Sequence, residues 1–176
     1  MSCSRTISVF QEAYSHSRQK TLILKMIDSI SLSSYQGKSF EDVLSSITNV
    51  AKQFPGIGRL GIYDIASGIS RYNAIPVERV YIIGDGPKRA AKLLNLPLKT
   101  HICSSRKYTY AEIPVVLEAL EAKGISIESR KKQDGDFLET FLCVWQKSQP
   151  DQSQPPRTPK SSSPCHLTCS SKPSIV

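Results

Sequence analysis

Apolar residues recur at helical spacing along the first third of the chain. One such run covers 21–30. A second follows Ser39, whose side chain is suited to cap a helix that has acidic residues in its first turn. The second run ends at a Phe-Pro-Gly sequence, because proline disfavours helix in the residue before it and glycine permits a sharp reversal. These patterns predict helices over 21–30 and 40–51.

The same reading predicts further helices as far as Trp145. The predicted segments are 59–72, 87–94, 110–123 and 137–145. Pro87 suits the first turn of its helix, and Gly124 closes the helix that precedes it. One short apolar run, Val80–Ile83, fits either a strand or a helix end. The pattern as a whole predicts a mainly α fold, a compact helical domain.

The composition changes after residue 147. Residues 148–176 hold six of the eleven prolines and eight serines, with few apolar residues. Such a segment cannot bury enough apolar surface to offset the entropy of ordering, so we predict a disordered tail after a domain at 1–147. Within the tail, Cys165, His166 and Cys169 offer three zinc ligands where a structural site needs four. We therefore predict neither a metal site nor a cofactor.

The charge of the chain is strongly basic. Its formal net charge is +8, and residues 1–147 carry 20 basic and 14 acidic residues, a net charge of +6. A basic surface attracts polyanions, most often nucleic acid, by neutralising phosphates. Five scattered cysteines fit a reducing compartment. Because there is no signal-like start and no long apolar run, we expect a cytoplasmic location and no membrane partner.

The most informative segment is the glycine turn at 54–59, between two predicted helices. Pro55 ends the first helix, and Gly56 and Gly58 allow the backbone to turn tightly. Ile57 is expected to plug the turn into the core. Small side chains leave amide groups bare at the start of the next helix, where the helix dipole favours an anion such as phosphate. Arg59 adds a cation beside this site.

This apolar-Pro-Gly-Ile-Gly sequence resembles the helix-hairpin-helix motif, and the chain is similar to small bacterial proteins that carry such a hairpin. The resemblance implies binding to the DNA backbone with little sequence preference, since contacts to phosphate carry no base information. Two alternatives stay open. The turn is either an ordinary helix–helix connection, or it is a contact surface for a protein partner.

A second glycine pair follows the apolar run at 80–83. Gly84 and Gly86 flank Asp85, and Lys88 and Arg89 add positive charge, so this segment is a second candidate DNA contact. The spacing also fits part of a dinucleotide-binding fingerprint, although the third glycine is missing. The chain shows no alternation of strands and helices to support that fingerprint.

Taken together, 54–66 and 80–85 resemble the DNA glycosylases of the helix-hairpin-helix superfamily. That resemblance implies that Asp85 stabilises the cationic sugar as the base leaves. The alternative for Asp85 is a turn residue, a common role for aspartate between glycines. The sequence does not decide whether the chain is an enzyme, and it favours DNA binding without catalysis.

One further basic stretch lies between the predicted helices. Lys99, Arg106 and Lys107 are interleaved with Tyr108 and Tyr110. Such a stretch either contacts phosphates and stacks on bases or forms a solvated loop.

Overall fold

The computed structural model describes residues 20–149, which form six α-helices and a three-stranded sheet. The helices are α1 (Lys20–Asp28), α2 (Phe40–Val50), α3 (Arg59–Tyr72), α4 (Asp85–Leu93), α5 (Ile113–Glu121) and α6 (Gly135–Ser148). The strands are β1 (Arg79–Tyr81), β2 (Lys99–Cys103) and β3 (Arg106–Glu112). Short 3-10 turns cover Leu32–Tyr35, Ala51–Gln53 and Ser129–Lys131.

The mainly α prediction is wrong, because the helices pack around an antiparallel sheet and the fold is α/β. The strand order is β1-β3-β2, so β3 is central and pairs with both neighbours. The tail predicted for 148–176 lies outside the described residues, apart from the end of α6 and Gln149. None of the helices within 20–149 is long and apolar enough to cross a membrane.

The sheet separates two hydrophobic cores. Successive residues of β1 point to opposite faces, so Tyr81 packs in one core and Val80 in the other. The first core joins the sheet to α1, α2 and α3, and the second joins it to α4, α5 and α6. Both faces of the sheet are therefore covered by helices. The N-termini of α3 and α4 lie beside the sheet.

The helices around the first glycine turn are confirmed. Ser39 forms a capping box with Asp42, each side chain pairing with the other residue's backbone N–H. The next helix begins at Arg59 and ends at Tyr72, as predicted. Ile57 is buried in the first core, which fixes the turn against the body of the protein.

One prediction for the middle of the chain is wrong, and one of two open alternatives is excluded. The helix predicted over 110–123 begins only at Ile113, because Tyr110–Glu112 continues β3. The stretch from Lys99 to Tyr108 is a β-hairpin rather than a loop. Its turn residues Ser104 and Ser105 have φ of 46° and 70°, values typical of a hairpin turn but more often supplied by glycine or asparagine. Val80–Ile83 starts as strand.

A close backbone contact joins the start of α6 to the segment that leads into β1. The Gly135 amide donates to the Val77 carbonyl at 2.8 Å. A side chain here would place its Cβ 2.2 Å from the Arg79 carbonyl oxygen, so only glycine permits this approach. The contact fixes the first turn of α6, and with it the buried carboxylate of Asp136.

Candidate functional site

The two glycine turns lie side by side at one groove of about 310 Å³. A Cβ built on Gly84 would lie 3.8 Å from Leu60 Cδ1, so the second turn contacts the start of α3. The groove is lined by residues from both turns and from β3, among them Gly58, Arg59, Leu60, Gly84, Lys88, Lys107 and Thr109. The fold thus brings together two segments that are 26 positions apart in the sequence.

Two helices begin at this groove. Gly58 is the N-cap of α3 and Gly84 is the N-cap of α4, and neither helix has a side-chain cap. The amide groups of a first helical turn have no partner within their own helix, and the helix dipole adds positive potential there. The N-terminus of α3 favours an anion in the groove, whereas at α4 the Asp85 carboxylate opposes one and Pro87 has no amide N–H.

Three cationic side chains stand around these N-termini. Arg59 donates from Nη1 to the Lys107 carbonyl at 2.9 Å, which holds the guanidinium against the hairpin. Lys107 follows the β2–β3 turn and is exposed. Lys88, in the second turn of α4, is exposed and lies 3.4 Å from the Asp85 carboxylate. Positive charge therefore surrounds the groove on both helices and on the sheet.

The remaining predicted contact residues lie around the groove rather than in it. Pro55 and Gly56 are exposed in the turn that leads to α3. Arg89 is exposed on α4. Gly86 serves packing, since a Cβ there would lie 2.7 Å from Cys143 Sγ on α6.

Asp85 stands in a different setting from the one that the glycosylase resemblance implies. Its side chain is fully exposed and pairs with Lys88 at the first turn of α4. A carboxylate at this position stabilises the helix dipole, which is a local structural role. The parallel strand–helix–strand unit of a dinucleotide fingerprint is also missing from residues 20–149, where all strand pairs are antiparallel.

The tyrosines of the basic hairpin do not face solvent. Tyr108 and Tyr110 are 1% and 9% exposed and belong to the first core, so they cannot stack on bases in this fold. Lys99 pairs with Glu112 across β2 and β3 at 3.0 Å. From this stretch, Lys107 is the cation that reaches the groove.

A buried polar cluster between α3 and α6 escaped the sequence analysis. Asp136 is 8% exposed and accepts a short hydrogen bond from Ser67 and one from Tyr63 at 3.4 Å. Arg71 Nε lies 3.3 Å from its other oxygen. Burial, followed by the charge of Asp136, raises the pKa of Tyr63 well above its usual value. Asp136 thus accepts from two hydroxyls and pairs with one cation.

Glu139 extends this cluster by one turn of α6. Burial raises its pKa to about 8, and the nearby carboxylates of Asp136 and Asp64 add to the rise. A carboxyl group with such a pKa exchanges a proton near neutral pH. Within residues 20–149 no three His, Cys, Asp or Glu side chains are arranged to hold a metal ion. In the sequence, the three-residue spacing of Asp136 and Glu139, which places both on one helix face, is the pattern that could have indicated this cluster.

Comparison with known proteins gives a match to a family model. No curated protein and no solved structure shows significant similarity to the chain. The family model described as amino acid:DNA transferase matches residues 3–153, which is most of the chain. That family description names DNA, which is one of the polyanions that a basic surface attracts. The chain therefore belongs to the amino acid:DNA transferase family.

Proposed function

We propose that this protein transfers an amino acid to DNA and that the groove between the two glycine turns holds the DNA backbone. Family membership supports the class of reaction. The observation that carries the location is the meeting of two helix N-termini and three cationic side chains at one groove. A backbone contact keeps DNA in place while leaving its bases free to act as acceptor.

Binding of this kind depends on charge and not on base sequence. Amide groups and the side chains of Arg59, Lys88 and Lys107 contact phosphate oxygens, which are the same at every position. The Asp85 carboxylate repels an anion at the N-terminus of α4. We therefore assign the closest phosphate to the N-terminus of α3. In this view the segment from α2 through the turn to α3 acts as a helix-hairpin-helix unit. The second turn widens its positive surface.

The salt dependence of DNA binding tests the contribution of each cation. We would titrate a fluorescent duplex with the full chain at several salt concentrations and plot the logarithm of affinity against that of salt. Lys88→Gln and Lys107→Gln should each weaken binding at all sequences and reduce the slope by about one unit. Lys123 is an exposed cation just after α5 and does not line the groove, so Lys123→Gln is the matched control and should keep the wild-type slope.

Gly58 allows a sharper test because it tolerates a side chain. Its φ of −80° and ψ of 175° suit any residue, and no described residue would come within 4 Å of an added Cβ. Asp and Asn both cap helices well, so Gly58→Asp and Gly58→Asn should both fold. Only the aspartate repels phosphate. We expect about tenfold weaker DNA binding for Gly58→Asp than for Gly58→Asn.

Equal DNA binding by these two variants would show that the groove does not contact DNA. The turn would then be either a helix–helix connection or a contact surface for a protein partner.

The reaction itself needs a separate readout. A new bond between the amino acid and DNA requires a leaving group, so the assay supplies one on either partner: amino acids offered as activated acyl esters, whose alcohol leaves, or DNA with a base that carries a leaving group, which the amino group displaces. The DNA would then be digested to nucleosides and analysed by mass spectrometry. A nucleoside heavier by an amino-acid unit supports the transfer, and unchanged nucleosides alongside normal DNA binding support a binding protein.

A further inference from the structure

A second cavity, of about 420 Å³, lies away from the DNA groove. It opens between the start of α2 and the segment that leads into β1, and its wall includes Phe40, Glu41, Arg79 and Tyr81. Among the described residues, its lining and that of the groove have no member in common. A volume of this size suits a small molecule.

The cavity carries opposite charges at fixed positions. Arg79 donates from Nη1 to the Glu41 carboxylate, and both side chains are partly exposed. The Arg79 guanidinium also lies 4.7 Å from the centre of the Tyr110 ring, a cation–π contact that fixes its plane. A guanidinium has five N–H donors in a rigid fork, a shape that matches a carboxylate. Arg79 and Glu41 thus place a cation and an anion together in the wall of the cavity, which Lys38 and Glu78 also line.

The wall of the cavity also contains a hydroxyl without a partner. Tyr81 is 1% exposed, and its hydroxyl, which lies near the Arg79 guanidinium, makes no hydrogen bond of ordinary geometry within residues 20–149. Its ring is held by Phe40, Tyr63 and Tyr110, with ring centres 5.3–6.2 Å away. A buried polar group without a partner needs an explanation, and a bound molecule in the adjoining cavity supplies one.

The start of α2 does not provide the anion site here. Its cap is complete, because Ser39 and Asp42 pair with each other. The charges that a ligand meets are therefore those of side chains. A free α-amino acid carries a carboxylate and an ammonium group a few atoms apart. It is the small molecule whose two charges match Arg79 and Glu41 at once.

We propose that this cavity binds the amino-acid substrate, with the α-carboxylate on Arg79 and the α-ammonium on Glu41. The proposal rests on the proposed function, because the family description supplies the substrate class. Tyr81 donates its hydroxyl to the bound molecule, and the aromatic wall contacts its side chain.

Binding of free amino acids to the full chain tests this site without any reaction. We would screen the twenty standard amino acids by saturation-transfer NMR and titrate those that bind by calorimetry, with and without an unmodified DNA duplex. For each amino acid that binds, we would also titrate two analogues: the amine that lacks the carboxyl group and the N-acetylated form. Both should bind about tenfold or more weakly, since each lacks one of the two charges.

Three variants locate the binding. Arg79→Gln should weaken amino-acid binding about tenfold. Tyr81→Phe should weaken it about threefold and should leave the melting temperature at or above that of wild type. Lys99→Gln breaks a comparable exposed ion pair, with Glu112, outside the cavity and should bind like wild type. Wild-type binding by Arg79→Gln, or no amino-acid binding with or without duplex, overturns the proposal. DNA binding measured on the same samples shows whether the proposed function has failed as well.

Discussion

The two glycine turns share the Gly-x-Gly spacing and a first glycine with positive φ, 105° at Gly56 and 78° at Gly84, yet their second glycines have different surroundings. Gly86 lies against α6, where a Cβ would sit 2.7 Å from Cys143 Sγ and 3.3 Å from Cys143 Cα. Gly58 has extended backbone, and no described residue stands within 4 Å of its missing Cβ. Packing explains the glycine of the second turn. It does not explain the first, which leaves an open approach to the start of α3.

The helices that follow these turns also contact α6 in different ways. α4 meets it through close packing at Gly86, whereas α3 meets it through the carboxylate of Asp136 and its hydroxyl partners. Close packing does not depend on protonation. A cluster of carboxyl groups does, since their charges interact and burial penalises the charged form. The two contacts should therefore respond differently to shape and to pH.

The largest expected effect is on the packed contact. Gly86→Ala forces α4 away from α6, and we expect a loss of about 1–3 kcal/mol in the free energy of unfolding, measured with urea. The double variant Gly86→Ala with Cys143→Ala removes the nearest atom and should recover part of the loss. A variant as stable as wild type would show that the second turn is as open as the first.

An intermediate effect is expected at the charged contact. Glu139 has a pKa of about 8 in the folded chain against 4.5 as its ordinary value, so folding favours its protonated form. The stability this gives is complete below about pH 4.5 and is lost as pH rises through about 8. Glu139→Gln should therefore match wild type at low pH and be more stable at pH 9, by on the order of 1–2 kcal/mol.

The measurement is urea unfolding of both proteins across this pH range. The loss caused by Gly86→Ala should stay constant over the same range, which makes that variant the control. A difference between Glu139→Gln and wild type that does not change with pH would mean that Glu139 titrates alike in the folded and unfolded chain.

The smallest effect is expected at the open turn. Serine is a better N-cap than glycine by a few tenths of a kcal/mol, so Gly58→Ser should raise the melting temperature by about one degree. The same substitution at Gly84 should lower it, because φ there is +78° and ψ is 174°, a region almost confined to glycine. Equal changes at the two positions, seen by scanning calorimetry, would remove the contrast between the turns.

The sequence predicts those elements whose signals are local. α2 and α3 follow from a capping box, a proline and apolar spacing within a few residues of each other. The β2–β3 hairpin was missed because its turn uses two serines and its outer strand is largely exposed. The helix predicted over 110–123 began too early, at Tyr110, although the two-residue spacing of Tyr108 and Tyr110 is that of a strand facing the first core.

The candidate sites divide in the same way. The first glycine turn was found because all of its parts lie within six residues. The hydrogen bond from Ser67 to Asp136 joins residues 69 positions apart, and that from Arg79 to Glu41 joins residues 38 positions apart. Such pairs have no local pattern, since only the packing of the sheet and helices brings them together.

The separation of the two cores gives the protein two optical reporters. Five of its seven tyrosines lie in the first core, and its single tryptophan, Trp145, packs against the second. Tyrosine circular dichroism therefore follows the layer that contains α1 to α3, and tryptophan emission follows the layer that contains α4 to α6. Whether the two layers unfold as one cooperative unit can be observed in an unmodified sample by comparing the two signals.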